Sequence, residues 1–254
     1  MPQNLGSSPA SGRRIVITGG GSGIGLAAAR LFLEHGDRVV ISGRQAARLA
    51  SASAALANIA GASDRLKTIS ADLSTPQGAA ALNDQAVAFL GAIDILVNNA
   101  GLNVKERTIA ELNTERWREV LGGNLDSAFL TTQAFLPTFR KQKEGFIVYI
   151  NSIAGLRGNP LGGAAYVAAK FALRGWATAL AVEEKPNGLR VSSIFPGEVN
   201  TPILEARPNP VTAEHKESIL QPEDVARAIF FLSSLPARAT IPELIITPSK
   251  ATYI

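Results

Sequence analysis

The chain has 254 residues, 46% of them hydrophobic and 18% charged, with a formal net charge of +4. That is enough apolar material for a substantial core in a single α/β domain, and basic residues scattered among acids point to no nucleic-acid surface. The absence of cysteine excludes disulfides, thiolate nucleophiles and cysteine zinc sites, and with only His35 and His215 no histidine-built metal centre is expected.

The opening MPQNLGSSPASGRR is polar, rich in Ser, Gly and Pro, and has no apolar core, so residues 1–12 read as a loose tail. RIVITG is the first strand; it runs into TGGGSGIG (Thr18 to Gly25) and then the helical LAAARLFLEHG. Glycines between strand and helix permit a tight turn and a close approach of backbone to phosphate, and the helix N-terminus attracts the anion. Gly19, Gly23 and Gly25 do not follow the G-x-G-x-x-G spacing, and a flexible turn uses the same residues. Their place at the start of a βαβ unit favours a nucleotide phosphate site.

RVVISG, a second strand, is followed by an Ala-rich helix, and LKTIS by a helix over TPQGAAALNDQAVAFL. Next come the strand IDILVNNAG, the long helical stretch Thr114 to Arg140, the strand GFIVYINS, a helix carrying YVAAK, and the strand LRVSSIFPG. Pro196 to Pro222 breaks this rhythm. The segment is crowded with prolines and charges and follows a strand's carboxyl end, where open α/β sheets bind ligands, so a substrate lid is expected over about 198–221. A helix resumes at about Pro222, and ELIITP is the last strand. Continuously apolar strands alternating with helices predict one doubly wound parallel sheet covered on both faces. No run of about 18 apolar residues suggests a membrane span, and a cytoplasmic protein is expected.

Tyr166 and Lys170 lie four residues apart, on one helix face. A phenol with a pKa of about 10 is a poor base at neutral pH, but a nearby ammonium favours its phenolate. The pair is a candidate proton-transfer device, although this spacing is also ordinary on amphipathic helices.

Seven stretches taken together resemble the short-chain dehydrogenase/reductase family from about Arg13 to Pro248: TGGGSGIG, Asp72 and Leu73 of ADLSTP, NNAG at Asn98 to Gly101, Asn124 in GGNLD, Ser152 in YINSIAG, YVAAK, and PGEVNT at Pro196 to Thr201. The resemblance implies a Rossmann-type fold and an oxidoreductase that moves a hydride between a nicotinamide and a carbonyl or secondary alcohol. It makes Tyr166 the general acid/base. Lys170 would tune the phenol and hold the ribose, Ser152 bind the substrate oxygen, and Asn124 help position a water. Cofactor contacts would come from Gly19, Ser22, Gly23, Ile24, Gly25, Arg44, Asp72, Leu73, Asn99, Ala100, Gly101, Tyr166, Lys170, Pro196, Gly197, Val199 and Thr201. The rival classes are an NAD-dependent alcohol or polyol dehydrogenase and a regulatory cofactor-binding member. A degenerate member is expected to have lost Tyr, Lys or Ser, and this chain keeps all three.

Two departures from the family stand out. Asn151 replaces a common serine, and IPELIITPSKATYI lacks the glycine-rich ending of many relatives, which weakens an acyl-carrier-protein reductase role. NAD-selective sites place an acid at the end of the second strand. Here Gly43 and Arg44 stand there, with no acid between Val39 and Leu73 except Asp64 and Asp72. A guanidinium fork suits a 2′-phosphate, so NADP(H) is the expected cofactor, with NAD(H) possible because Ser22 is not basic. Expected substrate walls are Ser152, Ile153, Ala154, Asn159, Pro160, Leu161, Tyr166, Glu198 and the loop after Thr201. They hold no basic cluster to claim a phosphate or carboxylate substrate. Apolar Phe171, Leu173, Trp176, Leu180 and Val182 are spread over more than one face of the Tyr166 helix, which predicts a homodimer or homotetramer.

Overall fold

The computed structural model describes residues 12–158 and 160–251. The expected tail, except Gly12, and Asn159 lie outside them. The elements run β1 (Arg14–Thr18), α1 (Gly23–Glu34), β2 (Arg38–Gly43), α2 (Ala46–Leu56), α3 (Ala62–Arg65), β3 (Leu66–Ser70), α4 (Pro76–Leu90) and β4 (Ile95–Asn98), then α5 (Thr114–Leu121), α6 (Ser127–Gln142), β5 (Gly145–Ile150), α7 (Ala164–Glu183), β6 (Leu189–Pro196), α8 (Ala213–Ser218), α9 (Pro222–Ser234) and β7 (Glu243–Ile246).

The seven strands form one sheet in the order β3-β2-β1-β4-β5-β6-β7. Every pair is parallel, in registers such as Ile15 on Val39 and Val97 on Val148. Side chains alternate across a strand, so the apolar runs split between two cores. Ile15, Ile17, Val39, Ile41, Val97 and Val148 pack with α1, α2 and α9. Val16, Val40, Leu96, Ile147 and Tyr149 pack with α4, α6 and α7. Leu173, Ala177 and Leu180 form the sheet-facing stripe of α7. Of the α7 residues expected to mark an interface, Leu173 and Leu180 are thus core and Trp176 donates to the Tyr149 hydroxyl at 3.0 Å. Only Phe171 and Val182 stay exposed, at 43% and 71%.

The two ends of the sheet differ in chemistry. At the amino end Asp37 takes the Arg13 guanidinium at 2.7 Å, and Asp94 takes Arg14 through Nε and Nη2 at 2.9 and 2.5 Å. At the carboxyl end the strands feed loops instead. The strand order reverses between β1 and β4, which opens a crevice there.

Two segments depart from expectation. The stretch Thr114 to Arg140 is not one regular helix: a π-helical turn, Gly122–Asp126, separates α5 from α6. Such turns often mark functional sites because they re-aim a side chain, here Asn124. The segment after Pro196 is not irregular throughout, containing a 3-10 turn Pro202–Ala206 and the short α8. Thr212 caps α8 by accepting from the His215 amide at 3.2 Å. The base of the segment is pinned by a Val199–Leu220 bridge, with Asn200 N–H donating to Leu220 O at 2.8 Å and Leu220 N–H to Glu198 O at 3.1 Å.

Candidate active site

The crevice opens into a cavity of about 670 Å³ that runs from the glycine loop to the segment after Pro196. Gly19 and Gly23 have positive φ, +64° and +52°, which L side chains rarely adopt. A Cβ at Gly25 would lie 2.4 Å from Gly19 O. Gly25 therefore serves the packing of α1 under the loop and does not line the cavity, whereas Gly19, Ser22, Gly23 and Ile24 do. No side chain caps the first turn of α1 and no acid sits in it, so its backbone N–H groups are available to an anion.

The loop is held from β4. Thr18 Oγ1 accepts the N–H groups of Asn99 and Ala100, each at 3.0 Å, and Asn99 Nδ2 donates to Thr18 O and Gly19 O at 3.0 and 3.1 Å. Asn99 and Ala100 line the cavity with Gly101, but their amide groups are already spent on the loop. At the far end of β2, Arg44 is exposed at the rim beside Asp72. Asp72 accepts from the Ser74 hydroxyl at 2.6 Å and from its amide at 3.1 Å. Those bonds and the Arg44 charge hold its carboxyl below the usual range. Leu73, buried, completes this wall.

Sequence reasoning overlooked Arg48, one helical turn after Arg44 and packed beside Gly21, where a Cβ would lie 3.4 Å from Arg48 Cβ. The i, i+4 spacing in GRQAAR was the available signal.

The four expected catalytic residues converge. Tyr166 and Ser152 line the same part of the cavity, and Ser152 Oγ accepts the Ala154 amide at 3.1 Å. Lys170 Nζ lies 5.6 Å from the Tyr166 ring centroid and donates to Ile150 O at 2.9 Å. Asn124 Nδ2 donates to Leu102 O and Val120 O, both at 2.8 Å, while its buried Oδ1 has no donor among the described residues. A Cβ at Gly101 would lie 2.8 Å from that Oδ1 and 3.9 Å from Lys170 Nζ, so the two groups meet over a glycine.

The electrostatics differ from the simple ammonium–phenol pair. Burial pushes Lys170 down to about 7, and burial raises Tyr166 above the ordinary phenol value. The Ser152 hydrogen bond opposes that rise, and then the charge of Arg107, a residue the sequence reading did not single out. Arg107 is 5% exposed in the loop after β4.

Toward the substrate end, Ser152, Ile153, Ala154, Leu161, Tyr166 and Glu198 line the cavity, as do Pro196, Gly197, Val199 and Thr201 nearer the loop, while Pro160 does not. Thr201 also buttresses the glycine loop, its Cγ2 3.0 Å from where a Gly23 Cβ would be. The expectation of no basic cluster is wrong: Arg107 and Arg207 both line this end, brought from loops a hundred residues apart. Glu198 pairs with Arg207 at 3.3 Å and meets His215 Nε2 through its other oxygen.

The chain as a whole is similar to known proteins. The sequence profile of the short chain dehydrogenase family matches residues 13–211. A 3-oxoacyl-[acyl-carrier-protein] reductase of Chlamydia muridarum is 33% identical over 224 residues, covering 86% of this chain and 89% of its own. Among solved structures, a 3-ketoacyl-(acyl-carrier-protein) reductase from Brucella melitensis complexed with NADH superposes with a TM-score of 0.84 at 28% identity, over 94% of this chain and 98% of that one. A metagenomic short-chain oxidoreductase in complex with NADP gives 0.79 at 30% identity over the same shares. The chain belongs to the short chain dehydrogenases and is an NAD(P)-dependent oxidoreductase of CH–OH and C=O groups.

Proposed function

We propose that this protein is an NADP(H)-preferring carbonyl reductase in which Tyr166 is the general acid/base. One observation carries the reading. Tyr166 lies on a helix face shared with buried Lys170, and both line, with Ser152, the same cavity as the glycine cradle.

The residues fit a nicotinamide dinucleotide. Side chains are lacking where backbone must approach a phosphate, at Gly19 and Gly23, and the first turn of α1 is uncapped. When bound, the cofactor supplies or accepts the hydride. Tyr166 then gives its proton to the oxygen on which negative charge develops. Ser152 donates to the same oxygen and stabilises that charge. Lys170, held near its midpoint at neutral pH by burial, donates as an ammonium to a ribose hydroxyl. Asn124 Oδ1 accepts from a water that leads from Lys170 to solvent. Arg44, joined by Arg48, would hold a 2′-phosphate, with no acid at the end of β2 to repel it.

Ser22, not a basic residue, lies in the glycine loop, so NAD(H) is the second cofactor, as in the Brucella reductase complexed with NADH. The wider reading is a cytoplasmic, single-domain homodimer or homotetramer joined through the outer face of α7, with the segment of about 198–221 as a substrate lid. Because that segment is pinned at Val199 and Leu220, its motion is confined to the residues between.

The test is a ketone and aldehyde panel read by nicotinamide absorbance. Wild-type protein is expected to use NADPH with at least about tenfold higher kcat/KM than NADH, one charge-assisted hydrogen bond's worth. Tyr166→Phe should lower kcat by roughly 10²–10⁴ with the Kd for NADPH unchanged. Near-wild-type turnover in that variant refutes the mechanism, and equal use of NADH refutes the preference.

A further inference from the structure

Arg107 is the charged group that the chemistry above does not use. Its guanidinium is buried, yet its hydrogen-bond partners are backbone carbonyls: Val104 O from Nε at 2.8 Å, Leu161 O from Nη1 at 2.7 Å, and Ala206 O from Nη2. Among the described residues it forms no ion pair with a carboxylate. A guanidinium has five N–H donors, so these three bonds leave capacity for an acceptor. Its place is built with care. Arg107 O accepts the Ala164 amide at the start of α7, and Gly163, with φ +74°, is a glycine where a Cβ would lie 2.6 Å from Arg107 Cβ.

Burial of an unpaired charge is costly, and natural proteins keep such groups where something pairs with them. The local balance shows what is missing. Arg207 is answered by Glu198, whose second oxygen meets His215. Glu198 is thus committed elsewhere, and Arg107 is left facing the cavity with a second cation nearby. It lines the same cavity as Tyr166 and Ser152.

We propose that the substrate carries a carboxylate that Arg107 receives, so that the reducible carbonyl comes to Tyr166 and Ser152: the protein acts on oxo acids and the corresponding hydroxy acids. One net positive charge calls for a monoanion, which favours a carboxylate over a phosphate dianion. The inference rests on the reading of Tyr166 as the acid/base. The reaction balances as carbonyl reduction: the hydride from NADPH joins the carbonyl carbon, the Tyr166 proton joins the oxygen, and the carboxylate is unchanged.

The test compares 2-oxobutanoate, 3-oxobutanoate and 4-oxopentanoate with their methyl esters, using wild-type protein and NADPH. At least one acid is expected to exceed its ester by about tenfold or more in kcat/KM, a charge-assisted hydrogen bond's worth. In Arg107→Gln that acid-to-ester ratio should collapse toward one, and in Arg107→Lys it should partly survive. A merely structural tie, or one that only tunes Tyr166, lowers acid and ester alike and preserves the ratio, which overturns the proposal. The wild-type comparison stands even if a variant misfolds. Calorimetric titration of the NADP⁺-loaded protein with the same acids separates the two readings. Ester turnover without any preference for acids overturns the carboxylate site alone. Saturable acid binding, lost in Arg107→Gln, without turnover of any carbonyl supports the site and overturns the reductase reading. Neither binding nor turnover overturns both.

Discussion

Lys170 offers a test that needs no substrate. Lys170 is 3% exposed and its pKa falls from 10.5 to about 7 through burial alone. Below pH 7 the folded and unfolded chains both carry the proton, so this group adds no pH dependence. Between about 7 and 10.5 the unfolded chain binds a proton that the folded one does not, and stability rises with pH. Above 10.5 the effect is flat again. The slope approaches about 1.4 kcal/mol per pH unit, and integration from pH 7.5 to 9.5 gives about 2–3 kcal/mol. For a chain of this size that corresponds to roughly 5–10 °C in Tm. Urea unfolding of wild type and Lys170→Met at both pH values, at one protein concentration, isolates the term, because every other titrating group cancels in the difference. Wild type should gain about 2–3 kcal/mol relative to the variant over that interval. A difference that does not change with pH means the folded Lys170 titrates normally, and the buried, midpoint-poised lysine is refuted.

Gly25→Ala should weaken NADPH by at least about tenfold and cost about 1–3 kcal/mol of stability, since the new methyl would sit 2.4 Å from Gly19 O and 2.6 Å from Asn99 Nδ2; fluorescence titration and denaturation read the two effects. Arg44→Ala should raise the Kd for NADPH by about tenfold or more and leave NADH nearly unchanged, and a parallel loss of both cofactors would remove Arg44 from the 2′-phosphate. Val182→Lys, on the exposed outer face of α7, should shift the mass measured by light scattering toward the monomer; an unchanged mass places any interface elsewhere.

The seven strands were legible because each is a short apolar run with β-branched residues, and a sheet covered on both faces demands that pattern. That Tyr166 and Lys170 share one face was legible from their spacing, and what singled them out was the resemblance of YVAAK and six other stretches to the family. The π-turn at Asn124 was not. Its residues GGNLD carry no periodic signal, and the bond from Asn124 to Leu102 O that accompanies the turn joins residues 22 apart in the chain. Arg107 was invisible for a different reason. It sits in an aperiodic loop, and its meaning lies in carbonyls from residues 161 and 206, which only the tertiary fold brings to it. The same holds for Arg207, whose partner Glu198 is separated from it by a 3-10 turn that begins at Pro202.

The rung between Val199 and Leu220 brings both ends of the intervening excursion to one point, with β6 before it and α9 just after. Closing a loop whose ends already touch depends little on its length, about 0.6 kcal/mol per doubling. Beyond Thr201, which buttresses the glycine loop, this roof of the cavity is thus a cassette that can be lengthened, shortened or exchanged while the sheet and the helices below it stay in place. One tether limits the exchange: Ala206 O holds the Arg107 guanidinium. A grafted roof that omits this carbonyl frees the arginine to swing, and with it the recognition at the far end of the cavity.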